Sequence, residues 1–209
     1  MAHKPILFNT EMVQAIQAGR KTQTRRIIKN NSVCRPFEPG DILWVRETWG
    51  KLTECNVYPP YEPEEERFIY RADIGDPDHF QAKWRPSIHM PKEAARIFLR
   101  VKDVRVERLH EITEEQAVQE GCSTGVVVIA LDPMGVAVEL DEPQDWTALD
   151  DFECVWNSTI KPADKDKYGW AANPWVWVIE FERCEKPEDF GQAIPEGGRP
   201  GHEEGTSMA

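Results

Sequence analysis

The sequence predicts an α+β fold, a small mixed or closed β-sheet decorated by two or three short helices. Its strand-like runs are short and set off by turn signals such as Glu38-Pro39-Gly40-Asp41. Its helical patterns are few and modest, and they do not alternate with strands in the βαβ rhythm of a parallel sheet. The sequence contains neither a Gly-rich phosphate loop nor an internal repeat.

In chain order, Pro5-Ile6-Leu7-Phe8 reads as a first strand, and Asn9 or Thr10 as the N-cap of a helix whose Met12, Val13 and Ile16 share one face. Gly19 ends that helix, because a left-handed residue after the last turn favours glycine. Thr22 to Ile28 suits a strand, as does Ile42-Leu43-Trp44-Val45-Arg46 behind its turn. Phe68 to Arg71 is expected to resume the same sheet, and residues 73–91, with three prolines, to form a long loop. Ile97, Leu99, Val101, Val104 and Val106 alternate with polar residues, but the phase slips at Lys102-Asp103, which predicts a bulge. Thr113-Glu114-Glu115-Gln116 has the capping-box pattern of a short helix over 113–120, with Gly121 just beyond. Val126 to Leu140, broken at Asp132-Pro133-Met134-Gly135, reads as a hairpin. Thr147 caps a helix that places Leu149, Phe152, Val155, Trp156 and Ile160 on one face. After a loop from Lys161 to Pro174, the run Trp175-Val176-Trp177-Val178-Ile179-Glu180-Phe181 is the most strand-like in the chain, and Trp44, Trp175 and Trp177 read as core.

A chain of 209 residues with 40% hydrophobic content can bury a proper core. We read one domain over 1–186, with insertions at about 50–66 and 122–147, and a disordered acidic, Gly/Pro-rich tail over 187–209. The formal charge of −12 excludes a protein that coats nucleic acid indiscriminately, but not a local anion site. Five scattered cysteines (Cys34, Cys55, Cys122, Cys154 and Cys184), with no C-x-x-C pair, predict reduced thiols and neither a zinc site nor any other metal or cofactor. Met-Ala-His-Lys-Pro is not a signal peptide, and no apolar run reaches transmembrane length. The expectation is a cytoplasmic protein without a membrane partner.

Between Met12 and Phe37 there is no Asp or Glu, yet Arg20, Lys21, Arg25, Arg26, Lys29 and Arg35 fall within that window. In so acidic a chain this basic island marks a candidate site. Lys21 and Thr24 are three residues apart, so in one regular strand they would face opposite ways; they can act together only if Lys21 lies in the turn before the strand. Taken alone, Lys21 also fits a surface charge compensating a helix end, and Thr24 a simple strand former.

Gly19-Arg20-Lys21-Thr22-Gln23-Thr24-Arg25-Arg26, then Pro39-Gly40-Asp41 and a strand, Thr113-Glu114 with Glu120, and a closing Trp-Val-Ile-Glu-Phe strand together resemble the ASCH domain family, a PUA-like β-barrel group. The segments Leu43-Trp44-Val45-Arg46-Glu47-Thr48-Trp49 and Ser87-Ile88-His89-Met90-Pro91 look like its phage- and prophage-encoded branch. The resemblance spans roughly residues 4–183. It implies a small barrel with a cleft for RNA or a modified nucleoside. Small bacterial members are amidohydrolases that remove the acetyl group from N4-acetylcytidine with a Lys, a Thr and a Glu, which match Lys21, Thr24 and Glu120. Other members are ribonucleases or RNA-binding modules, and a phage accessory protein acting through protein contacts is a further alternative.

Amide hydrolysis needs a nucleophile, a base and stabilisation of the oxyanion. A neutral Lys21 could take the Thr24 proton. Desolvation and neighbouring cations would favour that neutral form, whereas a close Glu120 would oppose it. Arg20, Arg25, Arg26 and Arg46 are candidate phosphate or substrate contacts, Trp84 a base-stacking residue, and His89 an acid or base in a ribonuclease reading.

Overall fold

A computed structural model describes residues 2–29, 35–52, 68–74, 82–131 and 137–191. Its centre is a five-stranded mixed sheet in the order β1 (His3–Leu7), β3 (Ile42–Arg46), β6 (Phe98–Arg108), β9 (Trp175–Cys184) and β2 (Gln23–Ile27). The β1–β3 pair is parallel and the others are antiparallel. Pro5, which cannot donate to a ladder, sits on the edge strand β1. The bulge in β6 falls between Val101 and Asp103, where the phase slips in sequence.

The sheet is open as hydrogen-bonded, with β1 and β2 as its edges, so the closed barrel expected from the resemblance is not formed by strand pairing among the described residues. Helix α1 (Thr10–Gln17) connects the two edge strands, and Asn9 caps it by accepting from Met12 N at 2.9 Å. Phe68 to Arg71 does not resume the main sheet: β5 (Phe68–Tyr70) pairs with β4 (Trp49–Lys51) in a separate ribbon, and Arg71 begins a short 3-10 turn. The expected insertion at 50–66 is described only for Gly50–Leu52.

Two buried faces explain why β9 is nearly continuous in apolar residues. Trp177, Ile179 and Phe181 pack with Val13 and Ile16 of α1 and with Leu43, Leu99 and Val104. Val176 and Val178 pack on the other side with α2 (Glu114–Gln119) and α3 (Ala148–Thr159), through Ala117, Phe152 and Trp156. Trp175 is the exception to the expected core placement, 46% exposed where β9 runs past its cover, while Trp44 and Trp177 are buried. A third cluster joins Ile42, Trp44, Trp49, Met90 and Phe98.

The capping box expected at Thr113 forms, and Thr147, expected as a simple cap, forms a box with Asp150 as well. The predicted hairpin is present as β7 (Gly125–Leu131) paired with β8 (Ala137–Trp146), its turn lying outside the described residues. The loop from Lys161 to Pro174 contains a single helical turn that was not expected, α4 (Lys165–Tyr168), whose Tyr168 carbonyl accepts from Trp156 Nε1 at 2.9 Å. Order also extends past 187: Pro187 to Gly191 forms a turn, and the Phe190 ring lies 4.7 Å from that of Phe98. The rest of the predicted tail lies outside the described residues. Cys122, Cys154 and Cys184 are free thiols, whereas Cys34 and Cys55 fall outside the described residues.

Candidate functional site

Two helix ends, back to back, build the site. At the end of α1, Gly19 (φ +75°) donates to the Ile16 carbonyl and Arg20 N to that of Ala15. At the end of α2, Gly121 (φ +96°) donates to Val118 and Cys122 N to Ala117. Both are Schellman motifs, in which a left-handed residue turns the chain out of the helix. A Cβ on Gly121 would lie 2.9 Å from Ala15 Cβ and 3.4 Å from Lys21 Cβ, so the two ends touch. Thr22 N donates to the Gln119 carbonyl at 2.8 Å, tying the start of β2 to α2.

This packing puts Lys21 in the turn, ahead of the strand, and against Glu120. Lys21 Nζ donates to the Glu120 carbonyl at 2.6 Å and to its Oε2 at 2.9 Å. Carbonyls at a helix end carry partial negative charge, so both groups favour the ammonium. Lys21, Thr24 and Glu120 are only 2%, 1% and 5% exposed. Burial nevertheless dominates the Lys21 equilibrium and lowers its pKa from the ordinary lysine value; Glu120 opposes the shift and Arg26 adds to it. Of the two opposing effects weighed from the sequence, desolvation is the larger.

Glu120 is shared. Its Oε1 accepts from Arg25 Nη1 at 3.1 Å, and Arg25 Nη2 reaches Gln116 Oε1 at 2.8 Å and Glu107 Oε2 at 3.4 Å. Arg25, expected as a phosphate contact, therefore has a fully buried side chain whose guanidinium holds the site carboxylate in place. Arg26 lies on the other face of β2, where its Nη1 donates to Thr24 Oγ1 at 2.9 Å and its Nη2 to the Leu7 carbonyl at 3.0 Å. The Phe8 ring lies beneath both cations, 5.5 Å from Lys21 Nζ and 5.2 Å from Arg26 Cζ. The site thus holds two hydrogen-bonded pairs, Lys21 with Glu120 and Thr24 with Arg26.

Two concavities flank α3. A cleft of about 480 Å³ is lined by Phe8, Arg25, Arg26, Ile27, Ser87 and Trp156, among others. A groove of about 730 Å³ is lined by Arg20, Glu120, Cys122 and Asp151, and both concavities share Asn9 and Met12. Burial pushes the Cys122 thiol up to about 12, so it is inert as a nucleophile at neutral pH.

The remaining candidates are more dispersed. Arg20 is exposed and donates to the Gly121 carbonyl at 3.2 Å. Arg46 donates to the Ile88 carbonyl and lies 5.5 Å from the Trp44 ring. Trp84 packs beneath Arg71, 5.6 Å from ring centroid to Cζ. His89 is exposed on a 3-10 turn (Ser87–His89) whose Ser87 lines the cleft. Sequence reasoning did not single out Gln116 or Glu107, whose roles depend on a partner more than eighty positions away. Nor did it find a second charge cluster, in which Arg96 donates from Nε and Nη2 to the two oxygens of buried Glu47, each at 2.9 Å, and also binds the more exposed Asp73. Among the described residues, no group of three or more His, Cys, Asp or Glu could hold a metal ion, and no helix is long and apolar enough to cross a membrane.

Fold and site define a mixed-sheet α+β protein with an enclosed lysine–carboxylate centre. No protein-family model and no curated protein matches the chain. A search of solved structures finds the crystal structure of hypothetical protein PH0355 at a TM-score of 0.39 and 16% identity, covering 88% of this chain and 100% of that one.

Proposed function

We propose that the chain is an amidohydrolase of the ASCH type that acts on N4-acylated cytidine, with Lys21 as base, Thr24 as nucleophile and Glu120 as the group that holds the lysine. The carrying observation is the enclosed Lys21–Glu120 pair beside two open concavities, with the lysine shifted toward its neutral form. Enclosing such a pair is a poor route to stability, because desolvation offsets the ionic attraction. Enclosed titratable groups shifted in this way concentrate at functional sites. The ASCH reading also takes the β1 and β2 edges, joined by the Arg26 contact to the Leu7 carbonyl, as the seam of a PUA-like barrel.

In this reaction the Lys21 amine accepts the Thr24 hydroxyl proton as Oγ1 bonds to the acyl carbon. The C–N bond breaks, and the Lys21 ammonium returns the proton to the departing cytosine amine. Water then cleaves the threonine ester, giving acetate and restoring the hydroxyl. Arg26, already donating to Thr24 Oγ1, lies where an adjacent oxyanion would gain most. Purified protein incubated with N4-acetylcytidine is expected to release cytidine, and Lys21→Ala to lower kcat/KM by at least about 10²-fold, within the range of general-base catalysis. Absence of cytidine release from the wild type, or equal release by the variant, overturns the proposal.

A further inference from the structure

Gln116 joins both ends of α2 to the site. It stands at N3 of the helix, where the Thr113 box needs a side-chain acceptor, and its Oε1 accepts from Thr113 N at 3.1 Å. The same Oε1 accepts from Arg25 Nη2 at 2.8 Å. Its main-chain carbonyl accepts from Gln23 Nε2 at 2.7 Å, and Gln23 lies on the same face of β2 as Arg25. One turn further along α2, Glu120 divides its carboxylate: Oε1 accepts from Arg25 Nη1 at 3.1 Å and Oε2 from Lys21 Nζ at 2.9 Å. Arg25 thus spans two acceptors of one helix, one neutral and one charged.

The neutrality of Gln116 is informative. A carboxylate at N3 serves a capping box equally well, and beside the partial positive charge of a helix N-terminus it suits the helix better. Glu114 and Glu115 in the same turn follow that rule. A carboxylate at 116 would instead disturb the allotment of Arg25. Glu107, the other anion at that guanidinium, is 3.4 Å from Nη2 and has its second oxygen bound to Arg105, which leaves Glu120 as the closer carboxylate. Ionised oxygens hold a guanidinium more strongly than an amide oxygen does, so a third carboxylate would draw Arg25 off Glu120 and leave both Glu120 oxygens to Lys21. Around Lys21 itself the other titratable groups are Arg26 from β2 and the Cys122 thiol beyond α2, while Phe8 and Ala15 carry none. A hollow on its β9 side adds Lys102, Glu180, Glu182 and Arg183, with Glu180 bound to Arg105 and Glu182 to Lys102.

We propose that Gln116 is a positioning residue: as a neutral acceptor it keeps Arg25 on Glu120, so that one carboxylate oxygen alone binds Lys21 and the amine is free to take the Thr24 proton. The inference rests on the hydrolase reading of the site. Gln116→Glu separates this role from a structural one, because it places a carboxylate at a partly buried position that the helix favours. Its denaturant midpoint is expected at or above that of the wild type. Thr113→Ala does the reverse, lowering the midpoint by removing the cap while leaving the Gln116–Arg25 bond in place.

Two measurements on the full chain test it. In the first, kcat/KM for N4-acetylcytidine is followed against pH. Gln116→Glu is expected to move the rising limb up by about one pH unit, because an added carboxylate favours the ammonium, so that turnover falls about tenfold on the limb and recovers at the plateau. Thr113→Ala leaves the limb where it is. In the second, the Lys21 13Cε resonance of lysine-labelled protein, assigned by its loss in Lys21→Met, is titrated by NMR. It needs no turnover, and its midpoint is expected to rise in Gln116→Glu and to stay in Thr113→Ala. A Lys21 midpoint unchanged in Gln116→Glu, or raised equally by Thr113→Ala, overturns the inference. Failure of the hydrolase reading looks different: no cytidine release by the wild type, with the Lys21 midpoint still raised in Gln116→Glu.

Discussion

Lys21 is held by opposing forces, and pH separates them. Its amine donates to a carboxylate and a helix-end carbonyl, yet the enclosed site lowers its pKa from 10.5, with desolvation the largest cause. Because the folded-state pKa lies below the unfolded one, the unfolded chain binds more protons in the interval between them, and stability rises with pH there. The slope for one proton is about 1.4 kcal/mol per pH unit. Below the folded pKa the penalty for enclosing the ammonium is fully present; above 10.5 it is relieved. Urea unfolding across this alkaline range, compared with Lys21→Met, is expected to show wild-type stability gaining on that of the variant as pH rises. In the proposed hydrolysis, with Lys21 as base, the kcat/KM profile is expected to rise with pH through the same lowered pKa. Parallel stability curves for the two proteins contradict this assignment.

Among the elements, the two helix termini do most to place the site, and their glycines differ in kind. Gly19 needs only its positive φ, since a Cβ there meets nothing within 4 Å. Gly121 needs a positive φ and also room, because its Cβ would press on Ala15 and the Lys21 stem. Gly19→Ala is therefore expected to destabilise the fold by roughly 1 kcal/mol and Gly121→Ala by roughly 2–4 kcal/mol, the excess coming from forced separation of the two ends. Denaturant midpoints measure the difference, and only Gly121→Ala is expected also to lower the proposed N4-acetylcytidine hydrolysis, by displacing Lys21. Both termini were legible in sequence, because a capping box and a glycine stop are local signals. Their contact was not, since nothing within either segment specifies what it packs against. For the same reason β5 reads as a strand without revealing that its partner is β4, and Glu47 and Arg96, 49 positions apart, give no sign of their pairing.

At the scale of the whole molecule, the apolar pattern of β9 marks a strand with its tryptophans in the core but not where the burial stops, so Trp175 and Trp177 look alike in sequence and differ in exposure. The C-terminal boundary shows the same limit. The composition after Cys184 suggests a loose tail, yet one aromatic residue in it closes a cluster assembled from distant segments. The Phe190 ring lies 6.1 Å from that of Trp44 in β3, 4.7 Å from Phe98 in β6 and 5.7 Å from His3 in β1, with Lys92 Nζ 4.5 Å from its centroid. It joins the chain's end to three strands, including the edge strand that carries the Leu7 carbonyl to Arg26. Phe190 is only half-buried, so Phe190→Ala should cost about 1–2 kcal/mol, less than the 3–5 kcal/mol of a fully enclosed phenylalanine. Truncation after Gly191 retains this contact and truncation after Cys184 removes it, so the shorter chain is expected to melt several degrees below the longer one. Equal melting of the two truncated chains would show that the turn at 187–191 adds nothing to the fold.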